Sequence, residues 1–161
     1  METLWAPWRM QYIKRIKDDD GCIFCEKCAE TKDRQNLILY RSESCFVMMN
    51  YYPYNNGHLL VVPYLHTADF SELSDEISLE IMRVIRKSTA ILSAVMKCQG
   101  FNIGVNLGRC SGAGIDQHIH FHIVPRWNGD TNFMPVTGHT KVVNEALFET
   151  WETLKQHFKA K

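Results

Sequence analysis

Histidine occupies every second position of Gln117-His118-Ile119-His120-Phe121-His122-Ile123-Val124-Pro125, which holds three of the chain's seven histidines. An imidazole with a pKa near ~6.5 can act at neutral pH as a nucleophile, a proton carrier or a metal ligand. Strict alternation with Ile119, Phe121 and Ile123 is the period-2 signal of a half-buried strand. A strand over 117–125 sets His118, His120 and His122 in one row, with roughly 6.5–7 Å between successive Cα atoms. The apolar residues between them then face whatever covers the other side.

A glycine-rich loop, Gly108-Arg109-Cys110-Ser111-Gly112-Ala113-Gly114, stands just before the histidines. Glycines let a backbone approach an anion closely and aim amide N–H groups at it. Alone, this pattern also fits a simple inter-strand turn. Beside aligned imidazoles it suggests phosphate chemistry: one imidazole attacks phosphorus while amides and a second imidazole hold the oxygens. Asp116 is out of place next to phosphates unless it points away. A second group is Cys22-Ile23-Phe24-Cys25, whose spacing is half of a tetrahedral zinc site. The other half must be remote, and His66 is free for it. Two buried thiols are the alternative, and Cys28 is a possible substitute for a histidine ligand. Cys45, Cys98 and Cys110 read as structural thiols, the last exposed in its loop.

Composition narrows the function classes. The 161 residues are 45% hydrophobic and 22% charged, as in an ordinary soluble chain of one domain. Eighteen basic and eighteen acidic residues balance to zero, so there is no basic surplus for nucleic acid or an anionic membrane. Phosphate recognition must be local. The start of the chain lacks the basic and apolar regions of a signal peptide, and no apolar run reaches membrane-spanning length. A cytoplasmic location is expected, where six cysteines are thiols or metal ligands rather than disulfides.

The elements that must position these groups follow in order. Residues 4–13 form a short helix, an arm packed on the body, and Asp18-Asp19-Asp20-Gly21 is a solvated turn. Strands are expected at 37–41, 45–50, 58–62 and 101–107, with 117–125 the fifth. Ser42-Glu43-Ser44 joins the first two, 51–57 is a loop, and Pro63 ends the third. Residues 73–99 form a long helix with Ser74 as N-cap and Gly100 as its stop. Its apolar face holds Ile77, Ile81, Val84, Ile85, Leu92, Val95 and Met96. A closing helix over 144–158 places Leu147, Trp151 and Leu154 on one face. Met48, Met49 and the aromatic tail read as core. The order β-β-β-α-β-β predicts an α+β fold, a mainly antiparallel five-stranded sheet with its helices on one side.

The triad segment, together with Asn50 and Gly57-His58-Leu59-Leu60-Val61-Val62-Pro63, resembles the signature of the histidine-triad (HIT) family. The resemblance runs from Cys22 to Trp127, with an arm (1–21) before it and an extension (128–161) after it. The tail Pro125-Arg126-Trp127-Asn128-Gly129-Asp130 is similar to the branch acting on dinucleoside polyphosphates. The resemblance implies that His120 is the nucleophile, attacking an α-phosphorus to form a nucleotidyl-histidine that water or inorganic phosphate resolves. It implies that His122 bonds the phosphate oxygens, with His118 beside the nucleophile and His58 supporting from behind. Asn50 then faces the ribose, Asn106 contacts phosphate or the bridging oxygen, and Gly112 and Gly114 line the phosphate site. Gly114-Ile115-Asp116 departs from relatives that carry a hydroxyl or glutamine there, so backbone amides must replace some side-chain contacts. A subset of the family pairs such a Cys-x-x-Cys with two histidines, here His66 and His118, around a structural zinc. No cofactor is implied for catalysis, and a homodimer is. Three readings stay beside this one: a nucleoside phosphoramidase, a nucleotide-binding module without turnover, and a metallohydrolase with His118 and His120 on the metal.

Overall fold

Alternation along the chain builds the sheet before any helix is added. In a computed structural model that describes residues 21–130 and 147–159, the elements are α1 (Ile23–Ala29), β1 (Ile38–Arg41), β2 (Cys45–Met49), β3 (Leu59–Pro63), α2 (Asp75–Met96), β4 (Gly100–Val105), β5 (Phe121–Arg126) and α3 (Leu147–Lys159). Two single 3-10 turns, Phe70–Glu72 and Arg109–Ser111, interrupt the connections. The five strands form one sheet in the order β1-β2-β3-β5-β4, every neighbour antiparallel. The α+β fold expected from the element order is the one observed. The expected helix over residues 4–13, the turn at 18–20 and the first three residues of the closing helix lie outside the described residues.

Successive residues of β2 and β3 point to opposite faces, and both faces are buried. Val47, Met49, Leu59, Val61 and Ile123 meet α2 and α3 through Ile81, Val84, Ile85, Leu92, Trp151, Leu154 and Phe158. Phe46, Met48, Leu60 and Val62 form the other face with Phe24 of α1 and Ile115. The two long helices therefore share one side, as expected, while the short α1 covers part of the other. The methionine pair is core on both faces at once, Met49 in the first layer and Met48 in the second. Cys45 is buried in the first layer, where burial and the Glu80 carboxylate push its thiol up to about 12, an inert structural thiol.

Ser74 caps α2, its hydroxyl accepting from Ile77 N at 3.4 Å. Glu80, one turn further on, accepts from Ser42 Oγ, Glu43 N (3.0 Å) and Ser44 N (3.2 Å), which clamps the β1–β2 turn to the helix. The helix ends at Met96, earlier than the expected Gln99. Lys97 takes the left-handed conformation (φ 52°) that reverses the chain, and Gly100 already pairs with Arg126 at the start of β4. Gly57 (φ 71°) has no room for a side chain, because a Cβ there would lie 2.5 Å from Met96 Sδ.

Two strand boundaries also differ from expectation. Pro63 is the last residue of β3 rather than its terminator; it sits opposite Cys45, where β2 supplies the ladder. The histidine segment enters the ladder only at Phe121, opposite Val61 of β3 and Val105 of β4. Residues 118–120 are held otherwise: Ile119 N donates to Thr67 O at 2.7 Å, and the Pro63 carbonyl accepts from the His118 ring at 2.9 Å. Facing still alternates, with Ile119 in the helix-covered core and His118 and His120 against Phe24. The row of three histidines is real in its facing, but only His122 lies in the strand.

Candidate active site and metal cluster

Backbone groups fix the proton positions of the buried histidines, because each ring nitrogen must take the role its partner leaves open. His120 Nδ1 lies 2.9 Å from the His118 carbonyl. A carbonyl only accepts, so Nδ1 carries the hydrogen and Nε2 keeps its lone pair. His120 is 5% exposed, and burial lowers its pKa below the ordinary histidine value, so the ring is neutral at neutral pH. Phe24 packs on it with ring centroids 4.9 Å apart.

The opposite assignment holds for His122. The backbone N–H of Tyr54 donates to His58 Nδ1 at 3.1 Å, and Asn50 Nδ2 lies 3.3 Å from the same nitrogen. His58 Nδ1 is therefore an acceptor, and its Nε2–H donates to His122 Nδ1 at 3.0 Å. That leaves the hydrogen of His122 on Nε2. The two neighbouring rings, with centroids 4.9 Å apart, thus differ in function: His120 offers a lone pair and His122 offers an N–H. Tyr54 lies over both His58 and His122, at 4.8 and 5.9 Å between ring centroids.

Asn50 follows β2 and is tied to this relay on both sides, its Oδ1 accepting from Tyr52 N at 2.9 Å. Asn106 follows β4, one residue past the Val105–Phe121 pair. Its half-buried amide has no protein partner among the described residues. In the glycine loop, Gly108 (φ 74°) and Gly112 (φ 88°) bracket the 3-10 turn, and Gly112 N closes it onto Arg109 O at 3.0 Å. Gly114, half-buried, has no acceptor for its amide among the described residues. Asp116 is neutralised by Arg109, Nε to Oδ2 2.5 Å. Sequence reasoning flagged Asp116 but missed its partner, and the seven-residue spacing carries no signal for it.

Cys22, Cys25, His66 and His118 converge, their ligand atoms all within 4.8 Å of one another. Tetrahedral zinc has edges of roughly 3.3 Å between nitrogens and roughly 3.6 Å between nitrogen and sulfur, from Zn–N and Zn–S bonds of about 2.0–2.1 and 2.3 Å. His66 Nδ1 to His118 Nδ1 is 3.2 Å, Cys22 Sγ to His118 Nδ1 3.3 Å, Cys25 Sγ to His66 Nδ1 3.4 Å and Cys25 Sγ to His118 Nδ1 3.6 Å. The donor set fits. Because His118 Nε2–H is held by Pro63 O, its Nδ1 presents the lone pair that a metal needs, a carbonyl-backed ligand. Burial and the adjacent Cys22 thiol push Cys25 up to about 11, so only a cation in the cluster would make it a thiolate at neutral pH. Cys28 is not in the set; its thiol donates to the Cys25 carbonyl at 3.2 Å. Neither His66 nor His118 lies in a strand, although His118 falls within the strand expected over 117–125.

The HIT domain family model matches residues 31–129. AP-4-A phosphorylase of Mycobacterium tuberculosis is 35% identical over 158 residues, covering 93% of this chain and 80% of that protein. Adenosine 5'-monophosphoramidase of Schizosaccharomyces pombe is 32% identical over 108 residues, 67% of this chain and 76% of that protein. The same fold occurs in the crystal structure of a Zn-bound histidine triad family protein from Mycobacterium smegmatis, at a TM-score of 0.70 and 24% identity over 86% of this chain and 93% of that one.

Proposed function

The chain belongs to the HIT family, and from that premise we propose that it is an enzyme cleaving a phosphoanhydride of a dinucleoside polyphosphate through a covalent nucleotidyl-histidine. The opposed tautomers of His120 and His122 carry this reading. The His120 Nε2 lone pair attacks the α-phosphorus, the P–O bond to the rest of the chain breaks, and its electron pair leaves with the departing nucleotide. His122 Nε2–H donates to a phosphate oxygen as charge develops there. Water or inorganic phosphate then attacks the phosphorus, breaks the P–N bond and returns His120 to its neutral form. His118 positions the nucleophile through its carbonyl, and Asn50, Asn106, Gly112 and Gly114 are assigned to the ribose and phosphates. The M. tuberculosis relative's name supports this substrate class. The S. pombe relative supports a second reading, in which the same residues expel an amine from a nucleoside phosphoramidate.

Incubation with diadenosine tetraphosphate, with and without inorganic phosphate, tests both. Release of two nucleotides supports the proposal, and incorporation of added phosphate identifies the acceptor. No cleavage alongside turnover of adenosine phosphoramidate would replace it with the second reading.

His58 sets the proton arrangement of His122, so His58→Asn is expected to lower kcat by roughly 10- to 100-fold, part of what a positioned proton donor contributes. An unchanged kcat would mean that His122 is fixed by something else.

Zinc is assigned to Cys22, Cys25, His66 and His118 as a structural ion whose charge, when bound, would hold both cysteines as thiolates. The chain is taken as one domain, 1–161, working in the cytoplasm; among the described residues no helix is long and apolar enough to cross a membrane. Neither nucleic acid nor a membrane is assigned as a partner. A homodimer is assigned from β4, an edge strand that leaves Ile103 49% and Leu107 45% exposed in or just after it. Light scattering is expected to give twice the 18.7 kDa chain mass, and the chain mass itself at micromolar concentration would exclude the dimer.

A further inference from the structure

We propose that Arg109 binds the phosphates of the substrate chain beyond the one attacked, and that Asp116 holds its guanidinium in place until a phosphate takes over. The inference rests on the polyphosphate reading above. Its first support is position. Strand β4 ends at Val105, opposite Phe121 and so one residue from His120, and the loop 106–116 leaves there and returns two residues before His118. Both ends of the loop therefore adjoin the triad.

The second support is the state of the guanidinium. Arg109 meets Asp116 through Nε alone, at 2.5 Å, and its side chain is 81% exposed against 33% for Asp116. Among the described residues neither Nη group has a protein acceptor, so four N–H donors of the fork face outward. A planar fork of this kind matches a phosphate bidentately, and a phosphate oxygen can replace the single carboxylate contact. Exposed ion pairs contribute little to folding, so the exchange costs the protein little.

Charge is the third support. A polyphosphate carries several negative charges, whereas the chain's formal charge is zero. Arg109 is the one cationic residue in 106–116. Its guanidinium and the Asp116 carboxylate stand in direct contact as opposite charges. An acidic residue beside the phosphates, unfavourable on its own, is thus explained as a placeholder for the ligand.

Calorimetric titration with adenosine 5'-monophosphate and adenosine 5'-tetraphosphate at fixed ionic strength tests this, on a His120→Asn background that does not consume ligand. The parent is expected to bind the tetraphosphate at least ~10-fold more tightly than the monophosphate, and Arg109→Gln to reduce that ratio about 10-fold, or about 1.4 kcal/mol. Asp116→Asn, which removes the competing carboxylate, is expected to widen the ratio by roughly 2- to 5-fold, a gain that disappears when Arg109→Gln is added. An Arg109→Gln ratio equal to the parent's would overturn the proposal. So would equal losses in both single variants, since those would mark the ion pair as a loop clip. Turnover of diadenosine tetraphosphate is read separately on the wild type. Absent turnover with the expected binding ratios would remove the functional reading and leave the Arg109 assignment standing.

Discussion

Replacing His120 with alanine is expected to lower turnover of a dinucleoside polyphosphate by at least ~10³-fold, with nucleotide binding largely intact, since nucleophile deletions cost on that scale or more. The expectation follows from the ring's surroundings rather than from its central place in the triad. His118 O takes the Nδ1 hydrogen, Phe24 and the sheet exclude water, and burial keeps the ring neutral, so the Nε2 lone pair is oriented and available. His122 cannot substitute, because the chain from Tyr54 N through His58 leaves a hydrogen on the nitrogen it would need. Two measurements bear on this. The alanine variant gives the rate, and mass spectrometry of quenched wild type looks for one nucleotidyl group, mapped to the peptide containing His120. An alanine variant that retained most of its rate would remove the covalent mechanism. An adduct on His122 would mean that the tautomers are exchanged.

The extent to which the sequence declares this site depends on the kind of group involved. Side chains with period-2 spacing were legible: Ile119 and Ile123 face the helices, and His118, His120 and His122 face the other way. The Cys22-x-x-Cys25 pair was legible because zinc demands a narrow ligand geometry, and His66 was within the range of candidates. Main-chain donors and acceptors were not legible. His118 O, Pro63 O and Tyr54 N decide which nitrogen of each imidazole reacts, yet any residue carries such groups, so no residue type marks them. The strand start was misplaced for a related reason. Alternation reports facing, which persists through His118, but ladder pairing depends on a neighbour, and β3 pairs with β5 no further than Val61. The end of α2 was set by register as well: β4 must begin opposite Arg126, so the chain turns at Lys97 before Gly100 can act as a stop.

Removal of the metal cluster is expected to affect stability first and chemistry second. Cys22→Ser/Cys25→Ser protein should contain no zinc, whereas wild type prepared without a histidine tag should contain one equivalent per chain. A ligand-bound metal stabilises the folded state alone, and this one would join α1 to segments 41 and 93 residues away in sequence, counted from Cys25. A loss of a few kcal/mol in a chain of this size lowers Tm by roughly 5–15 °C. The effect on rate passes through His118. Its Nδ1 faces the cluster, its Nε2–H holds Pro63 O, and its carbonyl orients His120. Without the metal, one of those three restraints is gone and the nucleophile's orientation is less strictly held, so kcat should fall by about 10-fold, well short of the His120→Ala loss. Zinc returned to chelator-treated wild type should restore both Tm and kcat, and zinc added to the double variant should restore neither. The histidine ring signals in NMR give a readout independent of activity: the metal-free protein should show His120 exchanging between tautomers, while the zinc-loaded protein holds the Nδ1–H form. A wild type free of zinc, or a double variant that melts at the wild-type temperature, would make Cys22 and Cys25 ordinary half-buried thiols and leave His118 held by Pro63 O and its protein neighbours without a metal.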